Sequence, residues 1–74
     1  MTPLERVRSL PGLVAQGNDR RIEVFADGMV LIWRLEKRPR GNMWALFDEA
    51  STPPKQPYHL TLRRLIHEVL NDAD

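Results

Sequence analysis

Apolar residues follow three different spacings along this chain, and each predicts its own kind of element. Leu4, Val7 and Leu10 recur every third residue and form one narrow helical stripe. Thr2-Pro3-Leu4-Glu5 in front of them is a start signal: Thr2 as N-cap, Pro3 at the first helical position and Glu5 closing a capping box. Pro11-Gly12 then stops the helix, which places a short N-terminal helix within residues 1–12. Two turns of helix do not persist alone, so this one must dock.

Residues 13–20 begin apolar and end in Gly17-Asn18-Asp19, which reads as a loop leading into the first strand. Then comes RIEVFADGMVLIWRLE, two β-rich runs joined by Asp27-Gly28, a dipeptide that supplies the positive φ angles of a tight hairpin turn. A two-residue loop there sets Ala26 against Met29, Val24 against Leu31 and Ile22 against Trp33 on one face. On the other face Phe25 meets Val30 and Glu23 meets Ile32.

Residues 37–42 read as a longer turn, and MWALFDEA as a third strand antiparallel to the second, so that residues 21–50 form a three-stranded meander. With Leu35 opposite Met43, the side chains of Met43, Ala45 and Phe47 join the Ile22 face. Trp44 and Leu46 then join Phe25, Val30 and Ile32 on the second face; a one-residue slip would exchange the two sets. Both faces carry large apolar groups in either register, so each needs a cover.

Residues 51–57 hold three prolines and form an extended crossover inside the domain. Helical spacing returns in Leu62, Leu65, Ile66, Val69 and Leu70, with Thr61 as N-cap, and residues 58–74 are assigned to a longer C-terminal helix. The expected architecture is a small single-domain α+β fold over residues 1–74: a three-stranded antiparallel meander flanked by two helices, in the order αβββα.

Composition narrows what such a domain can do. Seventy-four residues bury only about 60% of the surface of the unfolded chain, which leaves little room for an internal active-site cavity. Without cysteine there is no disulfide framework and no thiolate metal site. The longest apolar run, 29–33, is too short to span a bilayer, and Glu5, Arg6 and Arg8 interrupt any signal-peptide core. The expectation is a cytoplasmic protein with no membrane role.

Catalytic chemistry finds few materials. His59 and His67 are eight positions apart with no further histidine, and Asp48-Glu49 are neighbours that point to opposite faces of a strand. Each hydroxyl is explained by a cap or a loop. The chain is therefore read as non-enzymatic, with no catalytic or metal-binding residues and no small-molecule cofactor.

Charge is nearly balanced, eleven Lys and Arg against ten Asp and Glu, so only local clustering can direct a charged partner. Arg34, Lys37, Arg38 and Arg40 crowd the middle of the chain between Trp33 and Trp44. Arg63 and Arg64 sit in the first turn of the last helix, where the helix dipole disfavours cations.

From this the first expectation is a small regulator or inhibitor that contacts another protein, or a second copy of itself, through an apolar sheet face. Phe25, Ile32 and Trp44 would be its anchors and the arginines its rim. The second is a DNA- or RNA-binding module that uses the basic 34–40 hairpin with Arg63 and Arg64.

Overall fold

The computed structural model describes residues 2–26 and 30–70. Helix α1 spans Pro3–Arg8, and its start is built as the residue types require: the Glu5 backbone N–H donates to Thr2 Oγ1 at 3.3 Å while the Thr2 hydroxyl donates to the Glu5 carboxylate at 3.0 Å.

Five strands follow: β1 (Val14–Gly17), β2 (Arg21–Ala26), β3 (Val30–Lys37), β4 (Met43–Asp48) and β5 (Tyr58–Thr61). They form one antiparallel sheet in chain order, so the expected three-stranded meander is corrected to five strands. Helix α2, Leu62–Leu65, continues as a wider π-type segment over Ile66–Leu70. Its N-cap is Thr61, whose hydroxyl accepts from Arg64 N–H at 3.3 Å. Among the described residues no helix is long and apolar enough to cross a membrane.

The two additional strands are the two sheet edges, four residues each. β1 lies in the segment expected to be a loop, and β5 in the segment assigned to the start of the last helix. Strands this short are set by the neighbour they pair with more than by local propensity. β1 is held by β2 through the turn at Asn18, whose side-chain oxygen accepts from the N–H groups of Arg20 and Arg21 at 2.8 and 2.9 Å.

Register also departs from expectation in both central pairs. In β2–β3, Ile22 faces Leu35, Glu23 faces Arg34 and Val24 faces Trp33, two residues along from the simple two-residue-loop pairing. A bulge then leaves Ile32 without a partner, and Phe25 meets Leu31 and Ala26 meets Val30. The Asp27-Gly28 turn itself lies outside the described residues.

In β3–β4, Leu35 faces Leu46 rather than Met43. The reason is a tighter turn: Arg38 N–H donates to the Met43 carbonyl at 2.9 Å, and Gly41 takes a φ of +63°, so the strands stay paired almost to the turn. This odd shift exchanges the two faces of β4. Trp44 and Leu46 move to the helix side; Met43, Ala45 and Phe47 move to the open side.

Both helices cover the same face. Val7 of α1 and Leu62, Leu65 and Leu70 of the last helix pack with Ala15, Ile22, Val24, Leu35, Trp44 and Leu46 into one buried cluster, against which Ile32 and Trp33 also rest. Of the residues expected on an open second face, Trp44 and Leu46 are therefore core and Ile32 rests against it, while Phe25 stays half-buried and Val30 exposed.

Candidate functional site

Three places in the fold receive the nine residues singled out above, and only one of them gathers cations with no internal use. Trp44 is 3% exposed, and Ile32 packs against the core at the β3 bulge. Phe25 remains half-buried on the open face, near the far end of β3 from the 38–42 turn. The three apolar anchors thus share no exposed surface.

Arg34 is half-buried on the open face and fully engaged. It pairs with Glu36, donates to Glu49 through Nε at 3.0 Å, and lies over the Phe47 ring. Ala45, beneath this layer, is completely buried. Charged side chains lying flat across the strands close the centre of that face without a third layer. Arg34 is accordingly separated from the basic rim in which it was expected.

Arg64 is likewise spent. Its guanidinium binds Glu68 one turn on, with Nε donating at 2.6 Å, and this hydrogen bond holds the Glu68 carboxyl below the usual glutamate range. Arg8 donates to the Ala15 carbonyl of the edge strand at 3.0 Å.

Lys37 has a double role. Its ammonium donates to the carbonyls of Arg38 and Gly41, at 3.0 and 2.6 Å, and so ties the 38–41 turn to the end of β3. The charge nonetheless remains at the surface of the sheet end, beside Arg20, whose carbonyl accepts from Lys37 N–H at 2.8 Å.

At this end of the sheet three open grooves run into one another. The first lies between Asp19, Arg20, Lys37, Arg38 and Pro39. The second shares Asp19 and Lys37 with it and continues past Pro3, Arg6, Asn42, Trp44, Thr61, Leu62 and Arg63. The third takes over Arg6, Thr61 and Arg63 and ends on Arg64, Ile66, His67 and Glu68. Their volumes are 430, 400 and 530 Å³.

Among the described residues, five cations line the first two grooves against a single carboxylate, Asp19. Among the described residues, Arg6, Arg20, Arg38 and Arg63 form no ion pair, and neither does Arg40 on the same turn. They come from four separate places: α1, the β1–β2 turn, the β3–β4 turn and the start of α2. Such convergence is a product of the meander: α1 packs on β1 and α2 on β4 and β5, and residues of both line the second and third grooves.

No protein-family model, curated protein or solved structure gives a significant match to this chain.

Of the residues singled out from sequence, Lys37, Arg38, Arg63 and Arg64 line this path, and Arg40, on the same turn as Arg38, lines none of the three grooves. Arg6, Arg20 and Asp19 belong to it and were missed as site residues. The signal available for Arg6 and Arg63 was weak: Arg6 lies in the last turn of α1 and Arg63 in the first turn of the last helix, and nothing in the spacing says that the two line one groove. Trp44 enters the path only as part of a groove wall; among the described residues no exposed tryptophan, tyrosine or phenylalanine lines the basic path, and its one exposed ring there is the imidazole of His67 in the third groove.

Proposed function

We propose that this chain is a nucleic-acid-binding module that holds the phosphate backbone along the basic end of its sheet. The observation that carries this reading is the continuity of the grooves. Arg6, Arg20, Arg38 and Arg63, which form no ion pair among the described residues, occur with Lys37 along one unbroken path, while Arg8 and Arg34 are consumed by internal contacts away from it. A path of cations suits a repeating anion, and guanidinium groups suit phosphate in particular because they present several donors in one plane.

Among the described residues no exposed tryptophan, tyrosine or phenylalanine lines the path, and the first two grooves hold no exposed ring, which favours contacts to phosphate and sugar over stacking on bases. Recognition is then largely independent of sequence and strongly dependent on salt. Protein capture through Phe25, Ile32 and Trp44 has less support, because Trp44 is buried in the core and Ile32 rests partly buried against it.

Equilibrium binding of a mixed-sequence oligonucleotide across a salt series tests this. The expected slope of log Kobs against log salt is about −3 to −5 for four or five engaged cations. Each of Arg6→Ala, Arg38→Ala and Arg63→Ala flattens it by about 1, and Arg34→Ala leaves it unchanged. A flat salt response, or slopes indifferent to those arginines, overturns the proposal.

A further inference from the structure

Among the described residues, Asp19 is the one carboxylate in the first two grooves, and it lines both. Resting on the nucleic-acid reading above, we infer that the backbone accepted here is RNA, with Asp19 taking a hydrogen bond from a ribose 2′-hydroxyl.

Asp19 is firmly placed. The preceding residue, Asn18, locks the β1–β2 turn: its side-chain oxygen accepts from Arg20 and Arg21 N–H, and its own N–H donates to the Arg21 carbonyl at 3.0 Å. Asp19 therefore projects from a braced turn. One carboxylate oxygen accepts a single long hydrogen bond, 3.4 Å, from Leu4 N–H. Although Arg6, Arg20, Lys37 and Arg38 share its grooves, none forms an ion pair with it. Most of its acceptor capacity faces the groove unused.

A carboxylate in that position conflicts with a ligand made only of acceptors. Within a DNA strand, the phosphate and sugar oxygens can accept hydrogen bonds but cannot donate them. The RNA backbone has the same acceptors and one donor per residue, the 2′-hydroxyl, the group by which a protein distinguishes the two polymers. Cations on either side of Asp19 would hold successive phosphates, and the carboxylate between them would meet the intervening sugar. The nearby amide of Asn42 and hydroxyl of Thr61 in the second groove add neutral partners for the same polar edge.

The test compares one sequence made as RNA, as 2′-deoxy and as 2′-O-methyl strands, each titrated with wild-type protein, Asp19→Ala and Asp19→Asn, with folding checked by circular dichroism. Wild type is expected to prefer RNA to both modified strands by about tenfold, the weight of one charge-assisted hydrogen bond in a solvated groove. Asp19→Ala brings that ratio close to one with an unchanged salt slope. Asp19→Asn, which keeps a neutral acceptor and the turn geometry, gives an intermediate ratio.

Equal wild-type binding of the three strands with a steep salt slope overturns the RNA inference and leaves phosphate binding standing. Asp19→Ala tightening all three strands by the same factor also overturns it, since Asp19 then only repels. Loss of salt-dependent binding altogether removes the underlying reading.

Discussion

The Arg34 guanidinium stands 4.3 Å from the centroid of the Phe47 ring, the residue directly across from it on the neighbouring strand. Together with Glu36 and Glu49 it forms a flat layer over Phe47, and Glu36 stands across from the fully buried Ala45. Removing the side chain uncovers the ring and leaves two carboxylates unpaired. Arg34→Ala is expected to lower stability by about 1–2 kcal/mol, from a cation–π contact near 0.5–1 and modest half-exposed ion pairs. Urea unfolding measures this, and oligonucleotide affinity should not change. A variant of wild-type stability would mean that the layer contributes nothing to the fold.

Trp44 is a core residue, so its loss should act on folding before it acts on any partner. It packs with Leu46, Leu35 and Leu62 beneath the start of the last helix. Trp44→Ala is expected to cost about 3–5 kcal/mol, a large share of what a 74-residue domain has to spend. Thermal melting should show a strongly lowered or absent transition. A well-folded Trp44→Ala protein with a lost binding partner would instead return this residue to the surface-anchor role.

Local chemistry was legible in the sequence; pairing at a distance was not. Thr2, Pro3 and Glu5 start α1, and Thr61 starts α2, because caps depend on residues three apart. The β2–β3 hairpin and the existence of β4 also follow from alternation and turn residues. The two edge strands escaped, since Val14–Gly17 and Tyr58–Thr61 are too short to show a period.

Register escaped for a different reason. It depends on how tightly the turn at 38–42 closes and on a bulge at Ile32, and each odd shift moves a whole set of side chains across the sheet. That is why Trp44 exchanged a surface for the core. The basic turn itself, Lys37 and Arg38, was visible as charge; its union with Arg6, Arg20 and Arg63 required the tertiary fold.

Gly17 holds a position that no other residue fits. Its φ is +129°, and a Cβ built there would lie 2.2 Å from the Arg21 carbonyl oxygen, part of the turn that positions Asp19. Gly17→Ala therefore forces the β1–β2 turn to open. The expected cost is about 2–3 kcal/mol from backbone strain and displacement, read by denaturant unfolding. Faster hydrogen exchange at Asn18 and Arg21 should accompany it. Gly41→Ala makes a useful comparison: φ is also positive there, at +63°, but nothing lies within 4 Å of the added methyl, so its cost should be smaller. Equal losses at the two sites would contradict the clash.

The Arg64–Glu68 pair gives a pH dependence with a definite sign. The hydrogen bond from Arg64 holds the Glu68 carboxyl below its ordinary value, so the folded state binds that proton less readily than the unfolded chain. Its contribution is fully present above the unfolded glutamate pKa, about 4.3, and is lost as pH falls through the lower folded value. Carbon-detected NMR titration should place the Glu68 midpoint below that of an unpaired glutamate, and Arg64→Ala should return it to the ordinary range. Because the pair is exposed, the same substitution should change stability at neutral pH only slightly. Arg64 also borders the third groove, so freeing Glu68 places an unpaired carboxylate beside the basic path. Arg64→Ala should therefore weaken oligonucleotide binding more than loss of one peripheral cation alone, and Glu68→Gln should strengthen it. If Glu68→Gln leaves affinity unchanged, the basic path ends before the third groove.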